Sequence, residues 1–444
     1  MNNLDKTMLN QSDKLTFRHY IILTMAWAGW LFDFYDLMLF SFLLVPIKHD
    51  LGIADTGLSL ILGASLGATA LGGLLFGYLA DLFGRKSVLC ITILVYSIGT
   101  FFCGFTNSLI GLLIFRIITG LGVGGEWAIG QTLVGETFPA NVRARFAAVM
   151  QTGAPLGIAL AAVVGGLGEP LFGKMLGLAW GWRACFFVSL LPALLVGFIR
   201  RFMPESDIWE ECHKRGIKRE CETDKAKSWM LLWDETRLRR LFILGLILAI
   251  TDMSAYWFTY SWMPKYLYYQ LHFSMAKSGL WMLVTQAGGL LGYLSFGVIA
   301  DWKGRRIAYT IFSLIWAIGL LLVTWFWNTL IIVPVLTLLF MFMVGIGTGN
   351  FSGYGPIFSE LFPTRIRNTA MGTAFNLARG IQFFTPLVIT WIASLTWLTP
   401  EHSLGVGISI GAFFAIFTGL WVWCLPETKG TKILVEDLLL LKKK

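Results

Sequence analysis

Twelve apolar runs, each near the roughly 20 residues a helix needs to cross the hydrocarbon core of a bilayer, occupy most of this 444-residue chain. Their approximate limits are 18–45, 56–81, 87–104, 107–137, 144–167, 179–203, 240–268, 274–301, 306–326, 330–361, 367–396 and 402–425. Charged residues make up only 14% and hydrophobic ones 56%, with a mean hydropathy of +0.69; a soluble domain carries about 25% charge. Lipid offers backbone amides no partner, so such runs must satisfy their hydrogen bonds internally and are read as membrane helices. The longer ones are expected to tilt or project beyond the bilayer.

Orientation follows from where Lys and Arg fall in the short loops. One set holds Arg85 and Lys86, Arg143 and Arg145, Lys303 with Arg305 and Arg306, and Arg365 and Arg367; the other holds little beyond Lys48, Lys174, Lys265 and Lys277. The basic set is expected to be cytoplasmic, with both termini inside a multi-pass protein of the plasma or inner membrane. No apolar core with a small-residue cleavage site follows Met1–Phe17, so no signal peptide is read. The net charge of +9 is spread over helix ends, which lipid and topology explain better than nucleic acid. Cys90, Cys103, Cys185 and Cys424 lie in apolar runs, and Cys212 and Cys221 in a charged loop; neither a disulfide framework nor a zinc site is implied, and no cofactor or metal is expected.

The chain repeats itself at offsets near 220 residues. GYLADLFGRK from Gly77 returns as GVIADWKGRR from Gly297, ETFPANVRAR from Glu136 as ELFPTRIRNT from Glu360, and PES from Pro204 as PET from Pro426. The expected organisation is a segment 1–17, a six-helix unit 18–203, a linker 204–239, a second six-helix unit 240–425 and a tail 426–444. Between Arg201 and Arg240 lie ten basic and nine acidic residues, a solvated cytoplasmic linker by its charge.

These repeats, together with the Arg116-x3-Gly120-x-Gly122-x-Gly124-Gly125 pattern, resemble the major facilitator superfamily. The resemblance implies twelve helices in two pseudo-symmetric bundles around a central cavity, and alternating access. Within the superfamily, the aromatic-flanked Asp-x-x-Asp of WLFDFYDLMLF, RIITGLGVGGEWAIG and GWRACFFVSLLPALL look like the proton symporters of organic acids, the sialate and lactate branch and the aromatic-acid branch.

Read on their own chemistry, Asp33 and Asp36 are one turn apart near the centre of the first helix. Two carboxyls there cannot both ionise cheaply, so at least one is expected to hold a proton; a structural ion pair with Arg116 or Arg379 is the alternative. Arg116 is expected to meet a carboxylate from the first helix or a neighbour. Glu126 is either a second proton site in the cavity or a partner of Arg143 or Arg145. Arg379 suits a carboxylate in two-point fashion, as substrate contact or as counter-ion, with Asn376 and Gln382 three residues to either side. Asp252, Tyr256 and Tyr260 share one helical face and are candidate cavity residues, as are Asn350 and Tyr354.

The duplicated motif is read as an inner latch, formed by Gly77, Asp81, Gly84, Arg85 and Lys86 with Asp301, Arg305 and Arg306, and by Glu136, Arg143, Glu360 and Arg367; topological marking is its alternative. The glycines of the fourth helix are expected to admit a neighbour closely, and Gly153, Pro155 and Gly157 to mark a bent contact. The expected function is proton-coupled symport of a small organic acid such as sialic acid, a lactate-like monocarboxylate or an aromatic acid, by a chain acting as a monomer. Sugar or polyol uniport and drug–proton efflux are the alternatives, and a transporter-like nutrient receptor is one of another class. No P-loop or HExxH is present, and an enzyme is not expected.

Overall fold

A computed structural model describes residues 15–138, 146, 149–205, 233–362, 364–395 and 400–429. Every regular element among them is helical. Besides the short Trp327–Ile332 and Val422–Cys424, they are α1 (Phe17–Leu51), α2 (Asp55–Phe83), α3 (Arg85–Cys103), α4 (Leu109–Thr137), α5 (Gly153–Ala161, Ala162–Gly168 and Glu169–Leu176), α6 (Leu178–Val188 and Leu191–Phe202), α7 (Thr236–Tyr260 and Met263–Tyr269), α8 (Met275–Lys303), α9 (Arg305–Trp325), α10 (Pro334–Gly347, Thr348–Gly353 and Tyr354–Leu361), α11 (Thr364–Ile381 and Phe384–Ala393) and α12 (Pro400–Trp421).

Among the described residues, eleven stretches are long and apolar enough to cross a membrane. The remaining one, α11, is divided where a continuous span is expected. Pro386 has no N–H for the carbonyl of Gln382, and the chain there turns through tighter bonds from Phe383 N–H to Gly380 and from Thr385 N–H to Gln382. Pro192 divides α6 in the same way, after Ser189 and Leu190 have bonded three residues back. The first helix runs past the expected limit at 45: Pro46 lies inside it, and it ends only where Gly52 takes φ +62° and returns its N–H to Lys48. In α5 the backbone widens to a π-helix over Ala162–Gly168 instead of only bending at Pro155.

Tight neighbours within the first six helices are α2 with α4 and α3 with α4; within the last six they are α8 with α10 and α9 with α12. The small residues of α4 permit this: a Cβ on Gly122 would stand 2.7 Å from the Tyr96 nitrogen of α3. Between the halves, α2 packs on α11 and α5 on α8, where a Cβ on Gly166 would come 2.7 Å from the Gly279 Cα. The duplicated motif glycines Gly84 and Gly304 hold φ +95° and +104° at the α2–α3 and α8–α9 junctions, a conformation open to glycine and costly to other residues.

Candidate functional site

The middle of α1 brings Asp33 and Asp36 into the seam between the halves, and neither is exposed at all. They serve different neighbours. Asp33 faces α11, with its Oδ2 3.7 Å from Nη2 of Arg379, too long for a hydrogen bond. Asp36 turns into its own half, within electrostatic reach of Arg116 and near the hydroxyls of Ser189 and Thr100.

Arg379 is 2% exposed and lies between two aromatic faces, its guanidinium carbon 5.7 Å from both the Trp30 and Phe34 rings. Neither Nη1 nor Nη2 has a hydrogen-bond partner among the described residues. An arginine so placed holds donors ready for a planar acceptor. Aromatic walls continue around it: Trp127 of α4 stacks on Phe375 of α11 at 3.6 Å, and Tyr256 of α7 meets Phe34 edge-on at 6.1 Å. Tyr256 also packs on Tyr260 at 4.6 Å and on Phe351 at 4.7 Å, with its hydroxyl unpartnered among the described residues.

Arg116 corrects an expectation. Its Nη1 donates to the backbone carbonyl of Asp36 at 3.1 Å, and its guanidinium lies 5.1 Å from the Phe40 ring; no carboxylate pairs with it among the described residues. The cause is direction, since the α1 carbonyl points at α4 while the Asp36 carboxyl leaves toward α3 and α6. Glu126 is fully buried, pressed against Gly29 of α1 and close to Tyr96 of α3.

Several candidate ligands are already engaged. Asn350 donates to Asp252 at 3.3 Å and to Ser313 at 2.9 Å, and Tyr354 donates to the Ala249 carbonyl at 3.4 Å. Gln382 donates to Ala378 O at 2.9 Å and Ser254 Oγ at 3.2 Å and accepts from Thr385 at 2.7 Å, so it pins the break in α11 instead of facing a cavity. Asn376 lies against Gly73 of α2 with its Oδ1 unpartnered among the described residues.

At the end of the bundle where α1 begins, the latch-motif contacts seen among the described residues lie within one half or the other. Arg305 pairs with Asp301 at 2.5 Å and with Glu360 at 3.0 Å, and Arg306 donates to the Leu425 carbonyl at 2.8 Å. Arg85 donates to Ala80 O at 3.0 Å, and Gly77 has open space around it. The side chains of Asp81, Glu136, Arg143 and Arg367 lie outside the described residues. The repeated PES and PET prove to belong to this motif. Glu205 accepts from the N–H groups of Arg85 and Lys86, and Glu427 from those of Arg305 and Arg306, so each carboxylate caps the first turn of α3 or α9.

Sequence reasoning missed the opposite end altogether. There Asp55 of α2 binds Lys48 of α1 at 2.9 Å and, across the seam, Lys265 of α7 at 2.6 Å, on the wall of a cavity of about 250 Å³. Tyr269 meets His49 at 3.2 Å, and Ser59 donates to Pro386 O at 3.0 Å and accepts from Thr390 at 2.9 Å. Lys48 and Lys265 read only as sparse loop charges, and nothing in their spacing places Asp55 between them.

A family model described as Major Facilitator Superfamily matches residues 26–384. The chain is 31% identical to the cis,cis-muconate transport protein of Acinetobacter baylyi, over 88% of this chain and 90% of that one. It is 30% identical to a sialic acid transporter of Escherichia coli, over 89% and 91%. Among solved structures, the crystal structure of a D-xylose–proton symporter superposes with a TM-score of 0.74 at 22% identity, covering 94% of this chain and all of that one.

Proposed function

The chain belongs to the major facilitator superfamily and is a membrane transporter, and on that premise we propose that it carries a small organic acid together with protons. The observation that carries the proposal is Arg379: dry, aromatic-walled, with both terminal nitrogens unpartnered and a carboxyl at 3.7 Å. An isolated charge at that depth costs about 2.5 to 3.5 kcal/mol on insertion scales, so its retention calls for a use. A substrate carboxylate offers Arg379 the two-point partner that Asp33 does not. The flat aromatic walls of Trp30, Phe34, Trp127 and Phe375 favour a planar unsaturated acid over a polyol, whose hydroxyls they could not satisfy.

In the proposed cycle, the acid displaces Asp33 from Arg379, and Asp33 takes a proton in place of its lost counter-charge. When that proton leaves on the other side, the ionised Asp33 returns to Arg379 and expels the acid. The orientation read from the loop charges, with the termini inside, belongs to this proposal. A panel of radiolabelled cis,cis-muconate, benzoate, lactate, sialic acid and xylose in proteoliposomes, with and without an inward pH gradient, tests it. Gradient-driven accumulation of an acid and not of xylose is expected; equal uptake of xylose, or acid uptake indifferent to the gradient, overturns the proposal.

A further inference from the structure

Among the described residues, the charged groups lining the cavity of about 250 Å³ at the mouth away from the start of α1 are Lys48, Lys265 and Asp55. Both ammonium groups converge on one oxygen, Oδ1 of Asp55, Lys48 at 2.9 Å and Lys265 at 2.6 Å. One carboxylate against two lysines leaves the cavity an excess of positive charge. Lys265 is 4% exposed, so water does little to offset that excess.

Neutral donors stand in the same wall. The indole N–H of Trp262 and both amide atoms of Gln270 have no hydrogen-bond partner among the described residues, although Trp262 is wholly buried and Gln270 is 6% exposed. Buried donors left unmade are costly, and two of them beside a buried lysine call for an acceptor. The Lys265 ammonium lies 4.3 Å from the Trp262 ring centroid, which holds these two donors side by side. The cavity is smaller than the pockets that take drug-sized ligands, so the acceptor it fits is a small anion.

Its depth decides when such an anion arrives. From Asp55 toward the centre, α2 presents Ser59 and Gly63; from Thr390 on the cavity wall, α11 presents Pro386 and Phe383 before Arg379. These residues close the seam. Ser59 donates to the Pro386 carbonyl at 3.0 Å and accepts from Thr390 at 2.9 Å, and Gly63 sits so near the Phe383 carbonyl that a Cβ there would collide. A solute entering by this mouth meets Lys265 first and reaches Arg379 only after the seam has opened.

We propose that this cavity is an outer binding site for the carboxylate of a small acid, which takes Lys265 from Asp55 and so unties α7 from α2. The choice of a carboxylate rests on the organic-acid reading above. A lysine suits this step as an arginine suits the inner one: its ammonium is a point charge with rotatable donors and changes partners without the fixed two-point fit of a guanidinium. Asp55, once released, keeps Lys48.

The test uses the purified full chain and p-fluorobenzoate, with binding read by fluorine saturation-transfer NMR and Arg379→Lys as the background in which the centre is weakened. Residual p-fluorobenzoate binding is expected there. Adding Trp262→Phe and Gln270→Met, which leave Asp55 and Lys265 in place, is expected to weaken it about tenfold. No residual binding, residual binding that the two substitutions leave unchanged, or displacement by chloride as complete as by benzoate at equal ionic strength overturns the outer site. Equal binding by wild type and Arg379→Lys overturns the role given to Arg379 instead, and the same two substitutions then decide the outer site. If they prevent folding, spin-label distances between the α1–α2 and α7–α8 loops of Arg379→Lys decide. Longer distances with p-fluorobenzoate and not with neutral p-fluorobenzamide are expected; distances that the acid leaves unchanged overturn the outer site.

Discussion

Charges at the two mouths of the bundle have several partners each; charges at its centre have almost none. At the mouth away from the start of α1, Asp55 holds two lysines, and Arg183 reaches both Asp50, at 2.5 Å, and Asn107, at 2.7 Å. At the other mouth Glu427 accepts four backbone N–H groups, from Arg305, Arg306, Thr428 and Lys429. At the centre, Asp33, Asp36 and Glu126 have no hydrogen bond to their carboxyl oxygens among the described residues, and Arg379 has only a carboxyl at 3.7 Å. Removal from water makes an unpartnered charge far costlier at the centre than at a mouth. Mouth charges therefore suit holding a shape, and central charges suit exchanging partners.

Five substitutions separate these two roles. The largest effect is expected at Arg379: Arg379→Lys keeps the charge but loses the fork, and should weaken acid binding by about 2 to 3 kcal/mol, roughly thirty- to over a hundredfold, measured by equilibrium binding. Intact affinity with lost coupling would make Arg379 a counter-ion only. Next, Asp33→Asn should abolish uphill uptake while downhill exchange partly survives, and Asp36→Asn should do less, because Asp36 does not face Arg379. Equal losses in both would return the pair to a single shared role.

At the mouth away from the start of α1, Lys265→Met removes the ion pair that crosses the seam there. The lysine is buried but Asp55 keeps Lys48, so about 1 kcal/mol is expected, seen as a several-fold shift toward opening on that side in label-to-label distances. An unchanged distribution would demote the pair to surface decoration. The smallest effect belongs to Glu427. Partial burial pulls its carboxyl upward, but the four N–H groups outweigh this and hold it below the ordinary carboxylate value. A carboxyl lowered in the folded state stabilises above its unfolded value, about 4.3 for Glu, and loses that contribution as pH falls through the folded value. Glu427→Gln should thus lower thermal stability slightly at neutral pH, with the difference shrinking on acidification below about pH 4.

How much of this was legible in the sequence depends on the range of the interaction concerned. Hydrophobic length and the repeats of GYLADLFGRK, ETFPANVRAR and PES revealed the helices and their duplication, because these are properties of single segments. Depth along a helix was legible too, so Asp33, Asp36, Arg116, Glu126 and Arg379 could be singled out as charges in apolar runs. Their partners were not, because azimuth and rotamer decide them: Asp33 and Asp36 are one turn apart yet face different helices, and Arg116 takes a carbonyl in place of a carboxylate. The cross-seam set of Asp55, Lys265, His49 and Tyr269 depends on how two halves dock, which no local pattern encodes. The capping by Glu205 and Glu427 could have been found, since two repeats at the same offset invite the question of whether they touch.

In the proposed cycle Asp33 gives up Arg379 to the substrate and takes a proton when it does so. Proton uptake on acid binding measures this most directly: purified wild-type protein in weak buffer, titrated with an acid that it carries, with pH followed by an indicator dye. Protons are expected to disappear from solution in step with acid binding, and Asp33→Asn is expected to bind the acid without that uptake. Acid binding by the wild type with no proton taken up at any pH, or uptake undiminished in Asp33→Asn, would contradict it.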